Sequence, residues 1–354
     1  MTQALSSNEA SLIEVLPSHR FDENALASFV RGKLPGVEQS LVVRQFQGGQ
    51  SNPTYHIQAG QHAYVLRKQP KGPLLPGAHA IDREYAVQSA LAGRGIPLAT
   101  MRLICMEDSP IGQPFYIMDH VEGRIFSNRL LPDVDPSDRH RIYMEMVEVL
   151  AKIHSVDLDT AGLASFGKRG GFVARQISRW QRAYEKTKVA HNDDMEQVIA
   201  WLTANIPSSE EETIVHGDFR IGNMIVHPTR PEIVAVLDWE LATIGHPLSD
   251  LAYTCMAHHL STQTERGFSD VDLKSYGIPE ESELVRHYAK VRGYNEIPDW
   301  DYFVIFSIFR LAAILAGVYR RALDGNAADA RAKEADRIFR MLAFEAAQKV
   351  QRIA

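Results

Sequence analysis

Leu26, Phe29, Val30 and Leu34 recur at helical spacing, so the pattern predicts an amphipathic helix over 22–34. The period then shortens. β-rich runs at Leu41–Phe46, Thr54–Ile57 and Ala63–Arg67, separated by GGQSN and a turn around Gly60, predict an antiparallel meander. Ile81–Leu91 is predicted helical, and Met101–Met106 and Pro114–Met118 two more strands around the Ser109–Pro110 turn. Beyond Gly123 helical periodicity dominates, at 138–155, 173–190, 193–205, 248–260, 281–292, 299–322 and 328–352. A short β island, Thr213 to Leu237, interrupts these helices. The expected architecture is α+β: a small antiparallel β-rich N-lobe over 1–120 and a large mainly helical C-lobe over 121–354, joined near 119–123.

Two lobes agree with 354 residues at ~150 per domain. With 45% apolar and 23% charged residues, neither a disordered chain nor a coiled coil is expected. The balance of 38 basic against 44 acidic residues gives a net charge of −6, which argues against a nucleic-acid partner held by a basic surface. Up to residue 120 the chain carries 10 of each sign, so the acidity lies in the second lobe. Two cysteines, Cys105 and Cys255, give no disulfide framework and no cysteine zinc site. The N-terminus lacks a basic region followed by an apolar one. Tyr302–Tyr319 is the most hydrophobic run, but Arg310 in its middle makes a buried helix a better reading than a membrane span. The expected setting is cytoplasmic, without a membrane partner.

Chemistry concentrates in the β island. Ile214 and Val215 end an apolar strand, Asp218 follows in a polar loop, and Asn223 sits five residues later. Asp238 ends the apolar run Ile233–Leu237. Asn223 and Asp238 are hard-oxygen donors suited to Mg2+, which takes its remaining ligands from water and phosphates. Asp218 is placed to orient a hydroxyl and accept its proton. Positioning and charge neutralisation of this kind are what phosphoryl transfer requires.

H-G-D-F-R-I-G-N (His216–Asn223) followed by D-W-E (Asp238–Glu240) resembles the catalytic and metal motifs of the aminoglycoside phosphotransferase-like kinases. That family includes choline, ethanolamine, homoserine and fructosamine kinases and shares the protein-kinase-like fold. The resemblance implies a small-molecule kinase using ATP and Mg2+. Asp218 stands in the position of the catalytic base, and Asn223 and Asp238 in the metal positions, with Trp239 and Glu240 replacing the Phe and Gly of D-F-G. Arg220 falls where protein kinases often place a lysine beside the γ-phosphate, a candidate for charge stabilisation. His216 is expected to fix the loop by a hydrogen bond, Asp250 to anchor it, and His154 to pack in the core. His258 and His259 read as a solvated or substrate-facing helix rather than a metal site.

The resemblance also makes demands on the first lobe. Phe46–Asn52 fits a glycine-rich turn over phosphates, with Gly48 and Gly49 admitting backbone donors and Ser51 and Asn52 adding side-chain ones; a plain hairpin turn is the alternative. In Tyr64–Lys68 strand alternation lets one cation face inward. Arg67 aligns with the kinase lysine and is the first choice, Lys68 the second. Glu84 is the expected acidic partner of that cation, unless it is a surface charge. Met118 is expected to line an adenine pocket, with backbone groups of Asp119 and Val121 pairing with the adenine edge.

The acceptor is expected to be a small-molecule hydroxyl, contacted from 124–136, 165–182 and 256–270. Lys168, Arg169, Arg175, Arg179, Arg182, Lys186 and Lys188 make one segment basic. This suits an anionic or acyl substrate better than a cationic antibiotic, with a solvated helix face as the plainer reading. The wording F-x-G-G-x-S-N, V-L-R-K-x-P and D-W-E-L-A-T-I-G-x-P-L-x-D-L-A is most similar to kinase-like domains fused or adjacent to acyl-CoA dehydrogenases, over roughly 22–350. That branch implies phosphorylation of a hydroxyacyl-CoA and a functional link to an acyl-CoA dehydrogenase. Aminoglycoside, choline or homoserine-type kinases, a catalytically silent nucleotide-binding protein, and a metal-dependent phosphohydrolase are the alternatives.

Overall fold

The structure is a computed structural model that describes residues 11–38, 41–47, 52–72, 79–324 and 334–353. The chain forms two compact units that interleave in sequence. Unit 1 comprises Met1–Ser127, Ala161–Phe166 and Ile221–Ala242, and unit 2 Asn128–Thr160, Gly167–Arg220 and Thr243–Ala354. The expected junction at 119–123 falls inside the first segment of unit 1.

Unit 1 is built on six antiparallel strands, β1 (Leu12–Ile13), β2 (Leu41–Phe46), β3 (Thr54–Ala59), β4 (His62–Lys68), β5 (Met101–Cys105) and β6 (Phe115–Asp119), in the order β1-β2-β3-β4-β6-β5. Alternation sorts β3 cleanly: Tyr55, Ile57 and Ala59 are buried, while Thr54, His56 and Gln58 are half-buried on the other face. Helix α1 (Glu23–Val30) begins where the Asp22 carboxylate accepts the Ala25 N–H at 2.9 Å. It stops short of the predicted end at 34, because Gly32 turns into the left-handed region (φ 73°). Leu34 is nevertheless 4% exposed, packed from a turn rather than a helix. Helix α2 (Ile81–Leu91) has its predicted bounds.

Unit 2 carries α3 (Pro136–His154), α4 (Phe172–Thr187), α5 (Asp193–Ala204), α6 (Leu248–Cys255), α7 (Leu273–Tyr276), α8 (Glu281–Arg292), α9 (Trp300–Leu323) and α10 (Ala335–Ile353). Helix α9 is long and apolar enough to cross a membrane, but 78% of its most apolar window is buried against the other helices of this unit. The helix predicted over 248–260 becomes 3-10 from Met256 to His259. The start of the one predicted over 328–352 lies outside the described residues. The architecture is the predicted α+β fold, a β-rich part followed by a mainly helical one.

The β island is two separate ribbons. In unit 2, β7 (Thr213–Val215) pairs with β10 (Thr243–Gly245); in unit 1, β8 (Met224–Val226) pairs with β9 (Ile233–Val236). Strands β1 and β10 and helix α7 have no counterpart among the predicted elements, being only two to four residues long.

Candidate active site

In unit 1, β4 presents Arg67 to a cluster of three carboxylates. Its Nε lies 3.1 Å from Glu84 Oε2, as an ion pair rather than an aligned hydrogen bond, and its Nη2 lies 3.3 Å from Asp238 Oδ1 and 3.5 Å from Glu240 Oε2. Glu84 is 1% exposed, on α2. It accepts hydrogen bonds from Tyr116 Oη (3.0 Å) and Asn52 Nδ2 (3.0 Å). Burial would lower the Arg67 pKa, but Glu84, Tyr116, Asp238 and Glu240 outweigh it and hold the guanidinium above its ordinary value. Burial pushes the Glu84 carboxyl up, against the pull of Arg67 and Tyr116.

The ladder of β8 and β9 explains why Asn223 and Asp238 come together. Met224 pairs with Val236, and the Leu237 N–H donates to the Asn223 carbonyl at 2.8 Å, so both candidate ligands stand at the same end of one hairpin. Asp238 adopts a left-handed conformation (φ 65°) that turns its carboxylate out of the strand. Trp239 then buries its ring (1% exposed) and donates its indole N–H to the Val236 carbonyl at 3.0 Å. Among the described residues no three His, Cys, Asp or Glu side chains form a metal cage. An amide and a carboxylate instead fit Mg2+, which binds through few protein oxygens and the substrate's phosphates.

Several other candidates take different places. Lys68 lies on the opposite face of β4 from Arg67: it is 1% exposed and donates to Gln113 Oε1 at 3.3 Å. Burial lowers its pKa to about 8. It is therefore not the cation of this cluster, because adjacent strand residues point apart. Asn52 is no spare phosphate donor either; its amide spans Glu84 and His79 Nδ1 (3.0 Å) and braces α2. Gly48, Gly49 and Ser51 lie outside the described residues. Met118 is half-buried opposite Val65. Asp119 gives its N–H to the Thr100 carbonyl (2.9 Å) and its carboxylate to Arg102 (2.7 and 2.6 Å). The Asp119 N–H is thereby engaged with Thr100. Val121 lies two residues beyond β6. His56 and His120 meet edge to face at 4.9 Å, with Phe46 stacked on His120.

In unit 2, the loop after β7 is held from below by Asp250 on α6. Its wholly buried carboxylate accepts the His216 N–H (2.5 Å) and the Gly217 N–H (2.9 Å), and it faces His154 Nε2 at 3.5 Å. Gly217 sits at φ 85°, a conformation costly for any other residue. Its carbonyl accepts Arg310 Nη2 at 2.6 Å. The next amide, of Asp218, donates to His216 Nδ1 at 3.2 Å. The Asp218 carboxylate receives Tyr253 Oη on Oδ1 (2.6 Å) and Arg220 Nε on Oδ2 (3.2 Å). Arg310 also lies over the Tyr253 ring at 5.2 Å. Tyr253, Arg310, Tyr116 and Glu240 were not among the sequence candidates. The signal for Tyr253 was its position three residues after Asp250, which puts the two on one face of α6.

The basic segment 166–188 is partly neutralised: Arg169 faces Asp159 (3.4 Å) and Glu212 (3.8 Å), and Lys188 faces Glu185 (2.5 Å) and Glu196 (3.5 Å). His258 and His259 are structural rather than solvated, tied to the Pro279 carbonyl (2.9 Å) and to Glu281 (2.6 Å).

Residues 42–294 match the phosphotransferase enzyme family, APH. The chain belongs to that family. A solved structure from Ralstonia eutropha, described provisionally as an aminoglycoside phosphotransferase, is 39% identical with a TM-score of 0.87, over 94% of this chain and 99% of that one. Acyl-CoA dehydrogenase family member 10 of Mus musculus is 42% identical over 325 residues, which is 91% of this chain but 30% of that protein. The chain thus spans less than a third of that relative's length. A thermostable aminoglycoside phosphotransferase variant, solved with ADP and hygromycin B, shares the fold at 16% identity and a TM-score of 0.59, over 93% of this chain and 98% of that one.

Proposed function

We propose that this phosphotransferase-family chain moves the γ-phosphate of ATP to the hydroxyl of a small molecule, with a hydroxyacyl-CoA as the acceptor. The observation that carries the reading is the Asp218 carboxylate, fixed on both oxygens by Tyr253 and Arg220 at the tip of a loop that Asp250 holds. Asp218 orients the acceptor hydroxyl and takes its proton as the oxygen–phosphorus bond forms. Arg220 offsets charge on the transferred group. Arg67, steadied by Glu84, contacts the nucleotide phosphates. Asn223 and Asp238 hold Mg2+, which neutralises phosphate charge when bound. Met118 and Val121 serve the adenine.

The acceptor class rests on the kinship with acyl-CoA dehydrogenase family member 10, a protein in which a region like this one adjoins further chain. Phosphorylation converts a hydroxyl into a better leaving group, a step toward its removal from an acyl chain. A functional link to an acyl-CoA dehydrogenase follows from that chemistry. The test is ATP consumption with 4-hydroxyacyl-CoA, choline, homoserine and kanamycin, repeated with Asp218→Ala. Turnover of 4-hydroxyacyl-CoA that disappears in the variant is expected. Turnover of an amino-alcohol alone overturns the acceptor, and wild-type turnover in the variant overturns the base.

A further inference from the structure

Arg310 interrupts an apolar helix. Phe306, Ile308, Phe309, Leu311, Ala312 and Ala313 of α9 are buried about it, and the arginine is itself half-buried. An aliphatic side chain would serve packing alone at that place, whereas a charge withdrawn from water has to be matched. Two kinds of contact match it. The Gly217 carbonyl accepts its Nη2 at 2.6 Å, a short charge-assisted bond. The rings of Tyr253 on α6 and Trp180 on α4 lie 5.2 and 5.6 Å from the guanidinium carbon, within the range of cation–π attraction.

Two of these contacts lead to Asp218. The peptide that joins Gly217 to Asp218 is gripped at both poles: its carbonyl by Arg310, and its N–H by His216 Nδ1 at 3.2 Å. A peptide unit is planar, so two held poles fix its plane, and with it the direction in which the Asp218 side chain leaves the backbone. Gly217, at φ 85°, has no side chain of its own to restrain that peptide. The second route runs through Tyr253, whose ring meets the guanidinium and whose hydroxyl holds Asp218 Oδ1 at 2.6 Å.

We infer that Arg310 is a positioning residue for Asp218, which it aims through the Gly217 carbonyl and the Tyr253 ring. The inference rests on the reading that Asp218 orients the acceptor hydroxyl. A planar guanidinium donates in its plane while its faces meet rings; an ammonium cannot do both in that geometry.

The experiment compares the full chain with Arg310→Met and Arg310→Lys, by amide hydrogen exchange over residues 216–220 and by ATP turnover with 4-hydroxyacyl-CoA and to water. In Arg310→Met, exchange of that segment should quicken about tenfold while α9 keeps its protection. Its kcat should fall about tenfold with KM for ATP within about twofold of wild type, because a misdirected base slows the chemical step and leaves nucleotide binding alone. Arg310→Lys keeps a donor for the carbonyl and should lose only about threefold; it carries the test if the methionine variant does not fold. In an Asp218→Ala background, Arg310→Met should change the residual turnover by less than about twofold. Unquickened exchange, a kcat equal to that of wild type, or a further tenfold loss in the absence of the Asp218 carboxylate overturns the positioning role. Wild-type turnover in Asp218→Ala overturns the reading of the base instead, and Arg310 is then judged by the exchange.

Discussion

The Tyr253 hydroxyl donates to Asp218 Oδ1 at 2.6 Å, while Arg220 Nε holds Oδ2 at 3.2 Å. A carboxylate held on both oxygens cannot rotate away from an incoming hydroxyl. Burial and the neighbouring Asp218 raise the Tyr253 pKa, against Arg310, so the phenol stays a donor. Arg310 and Arg129 also act on the Tyr253 phenol.

Tyr253→Phe keeps the ring beneath Arg310 and removes one donor. We expect kcat to fall about tenfold, roughly 1.4 kcal/mol, with KM for ATP nearly unchanged. Steady-state kinetics read both parameters, and an unchanged kcat would reduce Tyr253 to packing.

Asp250 receives two backbone N–H groups from the loop that ends in Asp218, at 2.5 and 2.9 Å. Burial would raise its pKa, but His154 and His216 outweigh that and hold the carboxyl below the usual range. Asp250→Ala leaves buried donors without an acceptor and should cost about 3–5 kcal/mol. Urea unfolding measures it. A loss under about 1 kcal/mol would mean that the loop finds other acceptors.

Arg67 spans Glu84, Asp238 and Glu240 from one side chain. A lysine keeps the charge but has a single ammonium, which cannot reach three carboxylates in the geometry of a planar fork. Arg67→Lys should therefore raise KM for ATP about tenfold, roughly 1.4 kcal/mol, and affect kcat less. An unchanged KM would separate this cluster from nucleotide binding.

Much of this was legible from periodicity. Ile81–Leu91 and Glu281–Arg292 carry helical spacing from end to end, and the structure gives them their predicted bounds. The strands of the meander were displaced by only one or two residues. Illegible features have specific causes. Strands β7 and β10 lie 27 residues apart, from Val215 to Thr243, with another hairpin between them, so no local pattern announces the pair. Asn52 looked like a phosphate donor because of its glycine neighbours, and only the fold shows its amide spent on Glu84 and His79. The sequence could not choose between Arg67 and Lys68 until β4 set which face held the carboxylates.

His246 should make stability depend on pH. It is 3% exposed, stacked on Phe303 with ring centroids 4.6 Å apart. Its Nδ1 accepts the Leu248 N–H at 3.3 Å, so the proton sits on Nε2, which faces Ser209 Oγ at 3.3 Å. Burial, aided by His154 and opposed by Glu211, lowers its pKa from 6.5 to about 4. The folded protein therefore keeps the ring neutral where the unfolded chain takes up a proton. Between about pH 6.5 and 4 the unfolded state binds more protons, and stability falls as the pH drops. A shift of this size corresponds to about 3 kcal/mol across the window. His246→Gln retains an acceptor and a donor but does not titrate. Unfolding free energies at pH 7, 6, 5 and 4 should show a shallower slope for the variant, by about that amount in total. Parallel slopes would place the proton uptake on another group.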